Sequence, residues 1–530
     1  MTKSSAAARD LPSMYAHASR LDAGSVALRG GLSPDLLLAG LLLALAALML
    51  LPGALALPME LWDESRTANN AMEMAKQGGW LVTTFGYVPD HWNTKPPLMI
   101  WAMAALLRTG MDSMLAIRLP AIVAAMASAL LVYVACRALL RDRLAGLVGG
   151  LLVVCSVLFM GDHVGRTGDY DALLCLLNLG FVLCAGLYID GKTARPGIWV
   201  AAAAALLVLA VLTKGVAGGL AVPGLMVYAV VRRRLLAVLA DWRLWLSAAA
   251  AAVGLAGWLA LRERLDPGYL AAVWNNDVAG RMLTTLDAHE ERRTYYVRLL
   301  LRQFEPAMLL SPTLLAMPWD PDPRRRRLCL LMGLAALSWL VALSVARTKL
   351  YWYAAPIVPL LAVAIGISTS TWLRGERSWP PSVVLRRVAV GLPILAALAA
   401  SFWYLNLRPP SADSQYAPNQ VWYGPFMAQV RAHHGLDGVV ILDSGVPNNG
   451  GFSRYNPIAR FLIEDAERRG EYMRLQTTTE NLPTDVSVLS CDPQMRQWLA
   501  RHRSFTPVHA DGRCVFGRLT QAQRLETEKP

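Results

Sequence analysis

The chain has 530 residues and a formal net charge of +13, yet only 17% of them are charged and 55% are hydrophobic, with a mean hydropathy of +0.37. A soluble domain averages roughly 25% charged residues, so an ordinary cytosolic enzyme is excluded and the composition is that of a polytopic α-helical membrane protein. Nor does the charge point to nucleic acid, because it is spread over short loops between apolar blocks.

Residues 1–34 read as a basic cytoplasmic segment, with Lys3, Arg9, Arg20 and Arg29, too long for an ordinary signal peptide. Apolar runs follow near 35–57, 114–136, 144–160, 171–189, 197–213, 215–231, 244–261, 304–319, 328–346, 351–372 and 388–407. They approach or reach the roughly 20 residues that cross about 30 Å of hydrocarbon. About eleven transmembrane helices are therefore expected in a membrane domain at 35–407. Lys and Arg recur in every second loop, at Arg137, Arg141 and Arg143, at Lys192 and Arg195, and at Arg232, Arg233, Arg234 and Arg243. The series continues at Arg324, Arg325, Arg326 and Arg327, then at Arg374, Arg377, Arg386 and Arg387. This positive-inside pattern assigns those loops to the cytoplasm and the loops 58–113 and 262–303 to the outer face.

Beyond residue 407 the texture changes. Residues 408–530 hold 14 Lys/Arg, 13 Asp/Glu and short β-like runs such as Val439-Val440-Ile441-Leu442, separated by turn-rich stretches. A small soluble α/β domain on the periplasmic side is expected. Cys136, Cys155, Cys175, Cys184 and Cys329 lie in or beside spans and read as packing residues. Cys491 and Cys514 are the two cysteines of the outer domain, where an oxidising compartment permits a disulfide without requiring one.

Chemistry is sought in the polar outer loops. The first carries Asp63-Glu64-Ser65-Arg66 at the exit of the first span, then Asn93-Thr94-Lys95-Pro96-Pro97. Acids at that position suit either a solvated loop or a carboxylate facing a cavity. The second loop brings Arg166, Asp169 and Asp171 to the head of a span. Helix capping accounts for one acid there but not for two with an arginine; Asp-x-Asp also suits a metal or sugar hydroxyls. Lys214, in Leu212-Thr213-Lys214-Gly215, and Arg347, Lys349 and Tyr353, in the run from Arg347 to Pro356, place cations in outer turns against the topology signal. Cations with a tyrosine hydroxyl suit a phosphate, and the alternative is interfacial snorkelling within an aromatic belt. The 262–303 loop adds Asp277, Arg281, Asp287 and His289. A lone histidine among exposed charges is a metal ligand less often than a solvated side chain.

Asp-Glu-x-Arg at 63–66, Lys-Pro-Pro at 95–97, Asp-Ala-Leu-Leu at 171–174, Leu-Thr-Lys-Gly at 212–215 and Lys-Leu-x-x-Tyr-x-x-Pro at 349–356 occur in that order. In this the chain, over about residues 35–372, resembles the polyprenyl-phosphate-dependent glycosyltransferases of the GT-C fold. Protein O-mannosyltransferases and bacterial lipid A aminoarabinose transferases belong to that group. The resemblance implies Asp63, Asp171 and Glu64 as catalytic residues, and Arg66, Lys95, Arg166, Asp169, Lys214, Arg347, Lys349 and Tyr353 as substrate-binding ones. Thr94 stands where the aminoarabinose transferases often carry Glu, so a metal contact of that kind is not implied. The implied activity moves a sugar, with inversion, from a polyprenyl-phosphate (undecaprenyl-phosphate) donor to a lipid A or other glycolipid acceptor at the periplasmic face of a bacterial inner membrane. Alternatives are a protein O-glycosyltransferase of the same fold and a membrane transporter. No cofactor is required by any Walker or Rossmann glycine pattern, a divalent metal is left open, and no nucleic-acid partner is expected.

Overall fold

The computed structural model describes residues 33–282, 290–304, 306–375, 382–408, 421–446, 455–502 and 504–520. The 1–34 segment, Asp287 and His289 fall wholly or almost wholly outside the described residues.

Helix α1 (Pro34–Ala56) begins where the Ser33 hydroxyl accepts the Leu36 N–H, with proline at its first position. The 58–113 loop is itself structured: α2 (Asp63–Gln77), a hairpin of β1 (Thr84–Phe85) and β2 (Val88–Pro89), and α3 (Leu98–Arg108). The membrane domain continues with α4 (Ser113–Leu140), α5 (Arg143–Val154), α6 (Asp171–Asp190), α7 (Pro196–Lys214), α8 (Trp242–Leu265), α9 (Tyr295–Gln303), α10 (Pro323–Val345), α11 (Ile357–Arg374) and α12 (Val383–Phe402). Among the described residues eight helices are long and apolar enough to cross a membrane, and the protein is a multi-pass membrane protein.

Three of the eleven expected spans are broken into shorter pieces. The 144–160 run is α5 followed by a turn of helix at Val157–Met160. The 215–231 run is a tight turn at Gly215–Gly219 and a helix at Val222–Val231, interrupted where glycines loosen the backbone and Pro223 supplies no N–H. The 304–319 run contains Pro312 and Pro318 and winds as a 3-10 segment, Ser311–Trp319, after a short helix. At the centre, α11 is almost wholly buried and presses on α5. A Cβ on Gly366 would meet the Ala145 carbonyl oxygen at 2.5 Å and the Gly149 Cα at 3.0 Å, so only glycine permits that approach.

Charge is sorted between the two ends. At one end Asp35 pairs with Arg137 at 2.9 Å and Arg143 at 2.8 Å, Asp142 with Arg325 at 2.6 Å, and Asp190 with Arg232 at 3.0 Å. All four arginines belong to the loops expected in the cytoplasm. Asp171 starts α6 and Asp190 ends it, which separates the ends by about 30 Å at 1.5 Å per residue.

The carboxy-terminal region carries a sheet of order β4-β3-β5-β7-β6. Its strands are β3 (Val440–Leu442), β4 (Arg474–Gln476), β5 (Val486–Ser490), β6 (Phe505–Ala510) and β7 (Val515–Leu519), with β4, β3 and β5 parallel and β5, β7 and β6 antiparallel. Helices α13 (Tyr423–His434), α14 (Pro457–Arg468) and α15 (Pro493–Arg501) accompany it. A Cys491–Cys514 disulfide joins the ends of β5 and β7. The sheet domain docks on α2: Lys76 pairs with Glu467 at 2.6 Å, the Asn69 amide donates to the Pro457 carbonyl at 2.7 Å, and Tyr455 stacks on Trp62 with centroids 5.6 Å apart.

Removing a native disulfide typically costs about 2–4 kcal/mol. Cys514→Ser is expected to lower the denaturant midpoint of the sheet domain by that order, read by limited proteolysis of the full chain; unchanged protection would show that the bridge adds nothing.

Candidate active site

The site begins with an arginine placed inside a span. Arg118, 1% exposed in the second turn of α4, sends its Nε and Nη2 to the two oxygens of Glu64 at 2.7 and 2.9 Å. Its remaining donors reach the carbonyls of Ala54, Leu57 and Pro58 at the end of α1, at 2.9–3.0 Å. Glu64 also accepts the backbone N–H groups of Glu60 and Gly168, each at 2.8 Å. One ion pair thus fastens the end of α1, the start of α2, α4 and the 161–170 loop. A Cβ at Gly168 would lie 2.4 Å from Ile117 Cγ2, so the loop reaches Glu64 only with glycine there.

Asp63, the neighbour of Glu64, projects from the same turn toward the 161–170 loop. His163 Nδ1 stands 3.4 Å from Asp169 Oδ2 and 4.0 Å from Asp63 Oδ2, longer than ordinary hydrogen bonds. The ring is sandwiched face to face with Trp352, centroids 3.9 Å apart, and its backbone is left-handed at φ 63°. Asp63, His163 and Asp169 offer ligand atoms that lie within 4.8 Å of one another; two carboxylates and an imidazole suit a divalent cation. Burial opposes ionisation of Asp63, but Lys95, His163, Arg281 and Lys214 outweigh it and hold the carboxyl below its usual range. Burial likewise disfavours the imidazolium, yet Asp169, Asp63 and Glu60 push His163 up to about 9.

Facing Asp63 is a cationic wall. Lys95 is buried, with its Nζ 5.4 Å from the Tyr170 ring, and among the described residues it has no hydrogen-bonded partner. Burial first, then Arg281 and Lys214, pull its ammonium below the usual value against Asp63. Lys214 at the end of α7 is clasped by Asp171 at 2.6 Å and lies 4.8 Å from the Tyr353 ring. Arg281 donates to the Tyr353 hydroxyl and pairs with Asp277 at 3.4 Å. Asp277 in turn accepts the Thr94 hydroxyl at 2.7 Å. A site with several clustered cations in mutual repulsion is one that a phosphate would relieve.

Asp63, Lys95, Asp169, Asp171, Lys214 and Tyr353 therefore converge, although they span 290 positions of the chain. Five expected site residues do other work. Glu64 has both oxygens engaged and positions Asp63. Arg66 forms a bidentate pair with Asp90 at 2.7 and 2.8 Å beneath the Phe85 ring, 3.7 Å away, so it locks the first loop. Arg166 is held by Asp162 at 2.8 Å and by the Leu405 carbonyl. Lys349 points its ammonium at the carbonyls of Leu343, Ser344 and Ala346, and so caps α10. Arg347 is exposed. Conversely, His163, Arg118 and Trp352 were not singled out as site residues. Arg118, an unaccompanied charge within an apolar run, carried the signal that would have found it.

Residues 94–260 match the family model described as dolichyl-phosphate-mannose-protein mannosyltransferase. The chain is 26% identical over 314 residues to undecaprenyl phosphate-alpha-4-amino-4-deoxy-L-arabinose arabinosyl transferase 2 of Proteus mirabilis, a match covering 57% of this chain and 54% of that relative. The chain thus spans about half the length of the curated relative it matches. Its fold is that of ArnT from Cupriavidus metallidurans. The structure of that protein bound to undecaprenyl phosphate superposes with a TM-score of 0.63 at 17% identity, over 92% of this chain and 99% of that one. Its apo structure gives 0.60 at 16%, with the same coverage. The resemblance seen in the five sequence motifs is thereby borne out: in sequence and in fold the chain is similar to GT-C glycosyltransferases.

Two outcomes follow. Removing one partner of a buried pair costs about 3–5 kcal/mol, so Arg118→Leu should lower the melting temperature in detergent far more than Arg66→Lys does; equal midpoints for Arg118→Leu and wild type would remove its fastening role. Burial, then Asp162 and Glu64, push Glu60 up from 4.5 to about 7. A carboxyl raised on folding contributes stability below 4.5 that is lost as pH rises through about 7. Glu60→Gln should therefore melt higher than wild type above that pH and alike at 4.5.

Proposed function

We propose that this chain, a GT-C protein by motif and by fold, transfers a sugar from a polyprenyl-phosphate donor to an acceptor lipid at the outer face of a bacterial inner membrane. The observation that carries the reading is the opposition of the Asp63 carboxyl, held below its usual range, to buried Lys95 and half-buried Lys214 and Arg281, the last donating to the Tyr353 hydroxyl. A donor of this kind keeps its hydrocarbon in the membrane and presents its phosphate and anomeric carbon at the end where these groups meet. The basic ion pairs gather at the opposite end, and the positive-inside rule then turns the Asp63 end outward.

The chemistry is one displacement. The acceptor oxygen forms its bond to the anomeric carbon while the bond from that carbon to the phosphate oxygen breaks, and the electron pair leaves on the polyprenyl phosphate. Lys95, Lys214, Arg281 and Tyr353 stabilise the charge arriving on that oxygen, a preorganised electrostatic contribution. An acceptor hydroxyl gives its proton to Asp63; an acceptor phosphate needs none removed, and Asp63 then orients it. Attack from the face opposite the phosphate inverts the anomeric centre. Asp171 holds Lys214 in place, and Glu64 holds Asp63. Asp63, His163 and Asp169 are the residues that would hold a divalent cation, which supplies positive charge at the reacting centre when bound.

A lipid A or other glycolipid acceptor is preferred, as the motif resemblance implies, while the name of the Proteus mirabilis relative supports an undecaprenyl-phosphate donor. The protein O-glycosyltransferase reading draws on the mannosyltransferase family model over residues 94–260.

General acid–base groups contribute about 10²–10⁴-fold. Asp63→Asn should cut transfer from a radiolabelled polyprenyl-phosphate sugar by that order with an unshifted melting curve, and full activity would rule the role out. Lys95→Ala should raise the KM for donor more than that for acceptor; an unchanged donor KM would count against phosphate contact.

A further inference from the structure

The chain has eight histidines, and three of them meet on the carboxy-terminal sheet domain. His433 and His434 end α13, and His509 lies in the edge strand β6. Their ring centroids form a nearly equilateral triangle, with sides of 6.2 Å for His433–His434, 6.2 Å for His434–His509 and 6.3 Å for His433–His509. The floor of the triangle is apolar. His434 lies against Phe516, centroids 5.5 Å apart, and His509 against buried Phe426 at 5.4 Å. His433 and His434 are exposed and His509 is half-buried, so the cluster is reached from water.

A backbone irregularity brings the third histidine there. Side chains along a strand alternate between the two faces of a sheet. Phe505 packs on the α15 face with Met495 and Leu499, so strict alternation would send position 509 to that same side. The register against β7 shifts between Pro507 and His509, and His509 turns instead to the α13 face, onto Phe426. Bulges of this kind re-aim a side chain and recur beside functional sites. On the helix side, Gly435 at φ 76° ends α13, so no following turn crowds the last two side chains. The carboxyl end of a helix also favours a nearby cation.

One residue orients two of the rings. His433 Nδ1 lies 2.8 Å from the Gln429 backbone carbonyl, which can only accept, so Nδ1 carries the proton and Nε2 presents its lone pair. His509 Nε2 donates to the Gln429 side-chain oxygen at 3.2 Å, which leaves Nδ1 as its free acceptor. Such outer partners on the second ring nitrogen are the usual companions of metal ligation. A point equidistant from the rings lies roughly 3.6 Å from each centroid, the triangle's side divided by √3, whereas a zinc–nitrogen bond of about 2.0–2.1 Å puts the ion about 3.2 Å from a centroid. Turns about χ2, a soft torsion in histidine, close that gap. We propose that His433, His434 and His509 bind a zinc-class divalent cation that ties the end of α13 to the edge strand β6. Imidazole nitrogens without carboxylates suit such ions and not magnesium or calcium, and three of them leave a fourth position for water. The site belongs to the sheet domain and does not depend on the transferase reading. It also differs in chemistry from Asp63, His163 and Asp169, which offer a single imidazole.

The test uses the full chain in detergent, purified without a histidine tag, stripped with EDTA and carrying Asp63→Asn to disable the other group of ligands. Titration with zinc chloride in a calorimeter should show one ion bound per chain. Loss of an outer partner costs about 10–100-fold in metal affinity. Gln429→Leu should therefore weaken binding by about tenfold, and His434→Phe or His509→Phe, which keep an aromatic ring, by more than a hundredfold. With copper(II) as the probe, electron paramagnetic resonance should show couplings to several imidazole nitrogens, reduced in His434→Phe. Zinc should also slow amide exchange at 429–434 and 505–510, and unchanged exchange despite binding would overturn the tie between the two elements. Zinc binding that no histidine variant alters would overturn the site itself, as would binding abolished by Asp63→Asn alone. His433 and His434 are exposed, so their variants keep the test decisive if His509→Phe does not fold.

Discussion

A guanidinium enclosed by protein at the membrane boundary decides where everything else stands. Arg118 has five donors and almost no exposure to water, so each donor must find an acceptor or the charge is untenable there. It finds them in Glu64 and in the carbonyls that α1 leaves unpaired at its end. The arrangement solves two burial problems together, those of a buried cation and of an uncapped helix. The geometric by-product is that the residue before Glu64 has little freedom. Asp63 therefore faces the 161–170 loop because its neighbour is anchored behind it.

Around that anchor the electrostatics are deliberately incomplete. At the opposite end of the molecule the acids and arginines pair off at short distance, as with Asp35 and Asp142. Near Asp63 the pairings are longer or uneven: His163 stands off both of its acids, and Lys95 is left with an aromatic ring. Closed pairs hold helices together, whereas open ones have capacity for a charged guest. The same residue types thus mean different things at the two ends, and the difference lies in whether their hydrogen-bonding capacity is already used.

That difference marks the limit of what was legible in the sequence. Span positions, the two-ended charge distribution, the carboxy-terminal sheet and the convergence of Asp63, Lys95, Asp171, Lys214 and Tyr353 all rest on hydropathy and order along the chain. The misassigned residues share one cause. Lys349 sits four residues past the end of α10, and whether its ammonium turns back to the helix carbonyls or outward to a ligand depends on a rotamer. Arg66 was claimed by Asp90, 24 positions away, across a hairpin only two residues per strand long. Periodicity also fails where glycine and proline interrupt apolar runs: the 215–231 and 304–319 segments are hydrophobic enough to span but cannot keep a continuous helix.

The stack of Tyr455 on Trp62 and the seating of α14 on α2 have a bearing on how such a protein can be divided or recombined. The carboxy-terminal sheet is coupled mechanically to the residue adjoining Asp63, so it behaves as a bearing surface for the reactive helix and not as an appended module. Exchanging it for the corresponding lobe of a relative would transmit each misfit at that junction straight to the carboxylate, which makes the two halves a matched pair in inheritance as well as in space.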